Sequence, residues 1–594
     1  MRAMKALRSA ILLAWWLAGF GAAGGDTGVV IERDIPAAMR DGVVLRADVH
    51  RPDSGGVYPV LVWRTPYGKH KQHFEQYVKG GYIVVCQDVR GRYASDGTWE
   101  SWLQPHSHDA EDGYDTVQWA ARLPGASGKV GTFGLSYTSF LQWRLAPLRP
   151  PALAAMSAHS IAAHYTDLEG PGTIRPGRRL RWSIVTMMPE VRRRANRPGT
   201  HTDAEAGALW DGGQGQKWLQ FLPWLDLPQE VFEGDTAYMR DWLEHPQTDP
   251  WKLDAGCREI AVPNLEVVGW YDHAKGDMVL QQTLVKEGKT RAARKGSRLV
   301  VGPWSHFPPG GRKFGSIDFG PAADLDLVGQ DVRWFDYWLK GMTNGVDRDA
   351  AVKIFVMGDN RWRDEATWPL KRTRSKALFL SGDGKANTPS GDGKLVWQRP
   401  TDDASDSYSY DPRDPVPTLF APGNFTCATD QRQLASRTDI LVFQTEPLTE
   451  RIEATGLPEV ELYAASSAPD TDWVARLIDV APDGLARDVC MGVVRARYRD
   501  GVAKPRLIQP GKVVKYSIRL SPTSNAFLPG HRIRLDVTSS DFPNYDRNHN
   551  TAADQNADAE LAVARQTVHH GKAYPSKLIL PWVPNRDLGT AQGR

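Results

Sequence analysis

The sequence predicts an α/β protein in three parts: a largely parallel sheet covered by helices, a helical insertion, and a C-terminal β domain. Strand-like and helix-like segments alternate over residues 29–147 and again over 255–349. Residues 148–254 carry helical patterns with few strand signals, and short strands dominate 350–594. Alternation of strands with helices indicates a parallel sheet, whereas short strands with Gly, Pro and Asp turns indicate a β-sandwich or jelly roll.

The size and composition of the chain agree with this division. A chain of 594 residues is too long for one hydrophobic core. Its 41% hydrophobic and 24% charged residues are typical of a globular protein. The 22 tryptophans favour a large protein with an aromatic-lined pocket.

Residues 1–23 have the three-part layout of a secretory signal peptide. Three basic residues precede the apolar run ILLAWWLAGFGAA, in which Gly21 and Ala23 are the small residues that a cleavage site requires. The run is shorter than the about 20 residues of a membrane span. We therefore expect cleavage after Ala23 and an exported protein, periplasmic or secreted, without membrane contact. Retention of the segment as an anchor is the alternative.

The charge of the chain argues against two classes of partner. The three basic residues of the first segment account for the whole formal net charge of +3. The mature chain is then close to neutral, which favours neither nucleic acid nor an acidic membrane as a partner. The oligomeric state stays open, a homo-oligomer included.

The four cysteines show no CxxC spacing. Cys86 lies in the apolar stretch GYIVVCQDV, which predicts a buried free thiol. Export would permit a disulfide between Cys427 and Cys490, but the sequence does not establish one.

Neither a metal nor a cofactor is indicated. The stretches HSHD (His106–Asp109) and HH (His569–His570) offer ligand types without the separated partners of a closed site, so we expect solvated loop histidines. The stretch GDGKANTPSGDGK lacks the final hydroxyl residue and the flanking elements of a P-loop. We predict no cofactor and no metal.

The stretch KVGTFGLSYTSF predicts a strand, a sharp turn and a helix, with Ser136 at the turn. Such a turn exposes a nucleophilic serine when small residues flank it. Gly134 precedes Ser136, but Ser139 occupies the place where a second glycine is usual. Taken alone, the stretch fits an ordinary turn serine equally well.

Two further residues complete a set for acyl transfer, which needs a nucleophile, a base and a carboxylate that orients the base. Asp272 ends the stretch EVVGWYD, and His306 ends LVVGPWSH. With Ser136 they follow the chain order serine, acid, histidine, each just past a predicted parallel strand. Open α/β sheets place their sites at that edge. Alone, Asp272 would fit a helix N-cap and His306 a structural histidine.

The sequence also offers candidate donors for an oxyanion hole. Tyr67 in RTPYG closes an early strand and can offer its hydroxyl, beside the backbone N–H of Tyr137. A turn-packing aromatic after Pro66 is the alternative for Tyr67.

At this point the chain resembles the cocaine esterase-like hydrolases (the CocE/NonD group), which are related to the X-Pro dipeptidyl peptidases of clan S15 and the α-amino acid ester hydrolases. The resemblance runs from about residue 29 to the C-terminus. It rests on RTPYG, DVRGRYASDGTW, EDGYDTVQWA, GLSYTS, GWYD, GPWSH, WFDYWLKG, MGDNRWRDEATWP and SSDFPNYDRNHNT, in this order. It implies an α/β-hydrolase domain, an inserted helical cap and a C-terminal jelly roll of the galactose-binding-like type.

The same resemblance implies a role for each candidate residue. Ser136 is implied as the nucleophile, His306 as the general base and acid, and Asp272 as its orienting carboxylate. Tyr67 and the Tyr137 amide are implied as the oxyanion hole.

Two departures from the family pattern bear on the site. Ser139 replaces the last glycine of the family elbow Gly-x-Ser-Tyr-x-Gly. Relatives that accept a free α-amino group place acidic residues just after the catalytic aspartate, where this chain has His273, Ala274 and Lys275. A protonated amine lacks a partner there, so an uncharged or anionic acyl group is more compatible. Asp167, at the start of the cap, stays as a lone candidate amine anchor.

The sequence therefore predicts an exported serine hydrolase that cleaves carboxylic esters through an acyl-enzyme, with amides left open. Its partner is a small-molecule ester or amide substrate. An X-Pro dipeptidyl peptidase or α-amino acid ester hydrolase shares the triad and is the first alternative. A non-catalytic binding protein with an inactive elbow is the second.

Overall fold

A computed structural model describes residues 28–585, apart from 103–106, 171, 229–230, 232–237, 246, 250, 273, 307–309 and 421–425. The predicted signal peptide lies outside the described residues, as do His106 and His273. Within the described ranges, no helix combines the length and the apolar character that crossing a membrane requires.

Twelve strands precede the C-terminal domain in the described part of the chain. They are β1 Val29–Ala38, β2 Val44–Pro52, β3 Tyr58–Thr65, β4 Ile83–Asp88, β5 Ala126–Leu135, β6 Leu153–His159, β7 Leu265–Gly269, β8 Arg298–Gly302, β9 Lys313–Phe314, β10 Ile317–Asp318, β11 Val352–Val356 and β12 Arg361–Glu365. Strands β9 and β10 form a separate hairpin.

The other ten strands form the central sheet. Their order is β1-β2-β4-β3-β5-β6 in one set and β7-β8-β11-β12 in the other. A parallel bridge between Met156 and Asn264 joins the two sets at β6 and β7. The pairs β3–β4, β3–β5, β5–β6 and β7–β8 are parallel, so the carboxyl ends of β5, β7 and β8 lie at one edge of the sheet.

Both faces of this sheet are buried, as the apolar strands predict. Along β3, Leu61 belongs to the same core as Phe335, whereas Val60 and Val62 belong to the core that contains Leu141. Helices supply both cores: α1 Glu75–Lys79, α2 Asp109–Ala120, α3 Tyr137–Leu145, α4 Tyr165–Glu169, α5 Pro176–Arg181, α6 Met188–Arg194, α7 Asp203–Leu209, α8 Gly215–Gln220, α9 Tyr238–Glu244, α10 Ala274–Glu287 and α11 Leu327–Trp338.

Two strands correct the expected boundaries between the parts. Strand β6 lies within residues 148–254, which we assigned to the helical insertion, so the helical region begins after His159. Its sequence LAAMSAH is rich in alanine, which gives a weak strand signal. Strand β11 pairs with β8 and with β12, so residues 352–365 belong to the central sheet and not to the β domain that we began at 350.

The remaining strands of the described chain form the C-terminal β domain. They are β13 Arg374–Ser381, β14 Lys394–Val396, β15 Ala404–Tyr410, β16 Leu441–Gln444, β17 Ile452–Gly456, β18 Glu459–Ser466, β19 Asp472–Val480, β20 Ala486–Arg495, β21 Val514–Arg519, β22 Thr523–Phe527, β23 Arg532–Thr538, β24 Ala564–His570 and β25 Lys577–Val583. The domain is the predicted β-rich part, and its finer assignment as a jelly roll stays a prediction.

The structure also tests the predictions for the cysteines and for two of the histidines. All four cysteines are free thiols, and Cys86 is fully buried in β4 as predicted. The interpretation of His569 and His570 as solvated loop residues was wrong. Both lie in β24, and the buried His570 ring places Nε2 at 2.9 Å from a carboxylate oxygen of Asp406.

Candidate active site

The turn at Ser136 has the strained backbone of a nucleophile elbow. Ser136 lies between β5 and α3 with φ +62° and ψ −121°, a conformation that non-glycine residues rarely adopt. Two backbone hydrogen bonds hold it: Ser136 N–H donates to the His159 carbonyl at 3.0 Å, and Phe140 N–H to the Ser136 carbonyl at 2.9 Å. Gly134 has φ +140°, and a Cβ there would lie 2.2 Å from Thr138 Oγ1. The first glycine of the elbow is therefore required.

The unusual Ser139 is accommodated inside helix α3. The residue is fully buried, and its hydroxyl makes no hydrogen bond with any described residue. Helix α3 nevertheless begins at Tyr137, directly after the turn. A serine in place of the usual glycine thus leaves the elbow backbone intact.

We expect Ser139→Ala to keep the activity of wild type and to raise the free energy of unfolding by about 1 kcal/mol. A buried hydroxyl without a partner costs about 1–3 kcal/mol, and alanine is the better helix former. Denaturant unfolding of both proteins measures the difference. Ser139→Gly is the control and should be less stable than Ser139→Ala by about 0.5–1 kcal/mol. A loss of stability in Ser139→Ala would contradict the conclusion that the buried Ser139 hydroxyl makes no hydrogen bond.

Asp272 and His306 meet at the carboxyl ends of β7 and β8. Their side chains are fully buried, and His306 Nδ1 lies 2.9 and 2.8 Å from the two carboxylate oxygens of Asp272. The loops that carry them are joined by backbone hydrogen bonds, from Trp270 N–H to the Gly302 carbonyl and from Tyr271 N–H to the Trp304 carbonyl.

This contact sets the chemical state of the imidazole. A carboxylate only accepts, so Nδ1 carries the proton and Nε2 is the basic nitrogen of the neutral ring. Burial lowers the pKa of His306 below its ordinary 6.5, although Asp272 favours the protonated ring. The histidine is therefore a neutral base at neutral pH.

Tyr67 and Tyr137 supply two donors next to the turn. The indole N–H of Trp182 donates to the Tyr67 hydroxyl oxygen at 3.3 Å, so the hydroxyl proton stays available for donation elsewhere. Burial raises the pKa of Tyr67 to about 12, which keeps this proton in place. Tyr137 is the first residue of α3, where a backbone N–H has no intrahelical partner. The two tyrosine rings meet edge to face at 6.2 Å.

An aromatic cluster joins the helical cap to Tyr137 beside the turn. Trp102 stacks on Tyr137 at 4.6 Å and on Trp182 at 5.3 Å, and Trp251 lies 5.1 Å from Trp102. The Trp102 backbone N–H donates to the Tyr137 hydroxyl at 3.0 Å. Trp102 and Trp182 were not among the site residues predicted from the sequence. The high tryptophan count was their only signal, because no motif fixes their positions.

The cap also brings charge to the site. Arg178 and Arg179 on α5 are buried, and their charges disfavour protonation of His306 and favour ionisation of Tyr67. Earlier in the chain, Asp167 of α4 forms an ion pair with Lys275 of α10, with Lys275 Nζ 2.6 Å from Asp167 Oδ1. The candidate amine anchor thus already holds an ammonium group.

Comparisons with known proteins cover both halves of the chain. The model of the X-Pro dipeptidyl-peptidase (S15 family) matches residues 41–308. The model of the X-Pro dipeptidyl-peptidase C-terminal non-catalytic domain matches residues 344–579. The cocaine esterase of Rhodococcus sp. (strain MB1 Bresler) is 34% identical over 593 residues, which cover 94% of this chain and 99% of that protein.

Two solved structures share the fold over nearly the whole chain. An α-amino acid ester hydrolase has a TM-score of 0.75 at 24% identity and covers 97% of this chain and 100% of its own. An aminopeptidase from the marine sediment archaeon Thaumarchaeota archaeon has a TM-score of 0.75 at 24% identity, with coverage of 96% and 99%. These likenesses show a common architecture of hydrolase domain and C-terminal β domain.

Proposed function

Because the chain belongs to the cocaine esterase-like (CocE/NonD) family of serine hydrolases, we propose that it cleaves carboxylic esters through an acyl-enzyme on Ser136. The observation that carries this proposal is the buried His306–Asp272 pair, which lies at the same sheet edge as the strained turn of Ser136. An imidazole held in one tautomer by a carboxylate is the general base that a serine nucleophile needs.

The reaction then follows in two halves. Ser136 Oγ attacks the ester carbonyl carbon while its proton passes to His306 Nε2, and the carbonyl oxygen becomes an oxyanion facing the Tyr67 hydroxyl and the Tyr137 N–H. The imidazolium, stabilised by Asp272, protonates the leaving alkoxide, which leaves as the alcohol. Water repeats the sequence on the acyl-enzyme with His306 as base and releases the acid and free Ser136.

Location and domain roles belong to the same proposal. The signal-like residues 1–23 support an exported enzyme, periplasmic or secreted, that acts on a small molecule. The central sheet carries the catalytic residues, and the helices between β6 and β7 form a cap over them.

The Lys275–Asp167 ion pair favours ester substrates without a free α-amino group. Lys275 lies three residues after Asp272 and neutralises the carboxylate of Asp167. A substrate ammonium there would meet a second positive charge. Neutral or anionic acyl groups are therefore preferred, and the α-amino acid ester hydrolase and dipeptidyl-peptidase activities come second.

We expect Lys275→Glu to shift the enzyme toward amino esters. The ratio of kcat/KM for phenylglycine methyl ester to that for phenylacetic acid methyl ester should rise about tenfold, which corresponds to about 1.4 kcal/mol. The two esters differ only in the α-amino group, so the ratio isolates its contribution. Lys275→Met, which removes the cation without adding a carboxylate, should give an intermediate ratio. An unchanged ratio in Lys275→Glu would remove Lys275 as a specificity determinant.

A direct substrate comparison tests the proposed function. Purified protein should hydrolyse p-nitrophenyl esters much faster than aminoacyl-proline p-nitroanilides, and a fluorophosphonate probe should label Ser136. Faster turnover of the aminoacyl-proline substrate would favour the peptidase alternative. Absence of both labelling and turnover would favour a binding protein.

A further inference from the structure

The proposed triad spans a seam in the central sheet. Ser136 follows β5 on one side of the β6–β7 boundary, whereas Asp272 and His306 follow β7 and β8 on the other. At this boundary, side chains accept hydrogen bonds from four backbone N–H groups. Ala158 N–H donates to Asn264 Oδ1 at 2.9 Å, and Val267 N–H donates to His159 Nδ1 at 3.0 Å. Ser160 N–H donates to Glu266 Oε1 at 2.9 Å, and Ile161 N–H donates to Asp277 Oδ1 at 2.6 Å. The alignment of the two halves therefore depends on side-chain chemistry.

Two of these side chains are acids that bind neighbouring backbone N–H groups. Glu266 on β7 and Asp277 in the first turn of α10 are both fully buried, and they accept the N–H groups of the consecutive residues Ser160 and Ile161. Two acids buried this close together repel each other when both are ionised, so the pair is stable when one of them holds a proton. The nearby charged group is Asp272, a third carboxylate, and burial with this neighbour raises the pKa of both acids.

The hydrogen-bond pattern places the shared proton on Asp277. Both oxygens of Glu266 already accept N–H groups, from Ser160 at 2.9 Å and from the Asn264 side chain at 3.3 Å. Asp277 Oδ1 accepts from Ile161, but the buried Oδ2 receives no donor from any described residue. Oδ2 is therefore the oxygen that is left to carry a proton.

The acid pair connects directly to the nucleophile. Residues 159–161 are consecutive: the His159 carbonyl accepts the Ser136 N–H, and the next two N–H groups bind Glu266 and Asp277. Asp277 in turn lies in the helix that follows Asp272. One short segment thus links the strained turn of Ser136 to the loop of the catalytic carboxylate.

We propose that Glu266 and Asp277 are positioning residues, which hold one proton between them and thereby keep Ser136 aligned with the Asp272–His306 pair. The proposal rests on the proposed function, because alignment matters only if Ser136 is the nucleophile. A misplacement of about 1 Å costs about 10² in rate, so a broken pair should reduce turnover without a change at the substrate contacts.

The test compares Asp277→Asn with Asp277→Leu. In Asp277→Asn, the amide oxygen still accepts from Ile161 and the amide N–H replaces the carboxyl proton, so kcat should stay within about threefold of wild type. Asp277→Leu removes both bonds, and its kcat should fall about 10²-fold at nearly constant KM. Full activity in Asp277→Leu, or a loss in Asp277→Asn as large as that in Asp277→Leu, would overturn the proposal.

The pH profile of Asp277→Asn gives an independent readout that stands even if Asp277→Leu does not fold. The acidic limb of kcat/KM reports His306, whose charged form Asp272 stabilises and Arg178 and Arg179 destabilise. If the pair shares a proton, it carries one negative charge before and after the substitution, and the limb stays in place. If both acids were ionised, Asp277→Asn would remove a negative charge, destabilise the imidazolium and move the limb to lower pH, which would overturn the proposal.

Ser136→Ala, run in the same assay, separates the two levels of inference. Turnover of Ser136→Ala within about tenfold of wild type counts against Ser136 as the nucleophile and hence against the proposed function. An inactive Ser136→Ala together with a fully active Asp277→Leu counts against the acid pair alone.

Discussion

Ser136→Ala should lower kcat for a p-nitrophenyl ester by about 10⁴–10⁶, the loss expected when the nucleophile of a serine triad is removed. The backbone of the turn should survive, because its hydrogen bonds use the N–H and carbonyl of residue 136 and the required glycine is Gly134. Unfolding should therefore resemble that of wild type, and fluorophosphonate labelling should disappear.

Ser139→Ala is the matched control for this loss. Ser139 is a serine of the same elbow, three residues further along, but its hydroxyl is buried within α3. It should keep both turnover and labelling. If Ser136→Ala retains turnover within tenfold of wild type, another residue is the nucleophile and the acyl-enzyme mechanism on Ser136 fails.

The parts of the site found in the sequence are those with short, local signals. The turn at Ser136 is set by Gly134 within two residues, and Asp272 and His306 each follow an apolar strand within four residues. Because parallel strands end at one edge of the sheet, residues just after these strands were expected to lie close together. The contact between His306 and Asp272 agrees with this expectation.

The parts that the sequence could not supply depend on distant residues. Strand β11 has an ordinary strand pattern, and only its pairing with β8 assigns it to the central sheet. Lys275 was recognised as a cation near Asp272, but its partner Asp167 lies more than 100 residues earlier. Glu266 gave one weak signal, a charged residue within the apolar strand LEVVG, and its partner lies on the following helix. Such pairs become visible only when the chain is folded.

Tyr67→Phe should lower kcat by about 10²–10³ and leave KM almost unchanged, since the hydroxyl acts on charge that develops in the transition state. The structure favours this split. Desolvation raises the pKa of Tyr67 to about 12 and keeps the donor protonated, while Trp182 binds its oxygen and not its proton. Steady-state kinetics on an aryl ester measure the effect.

Trp182→Phe distinguishes an oxyanion donor from a packing residue at position 67. This variant removes the indole N–H that holds the Tyr67 hydroxyl but keeps an aromatic ring against Trp102 and the hydroxyl itself. If Tyr67 donates to the oxyanion, Trp182→Phe should cost far less in kcat than Tyr67→Phe, because the donor remains. If Tyr67 only packs against the cap, the two variants should be equally mild, and a rise in KM without a fall in kcat for Tyr67→Phe would place the residue in substrate binding. The comparison therefore assigns the hydroxyl by its effect on the transition state, where proximity alone cannot.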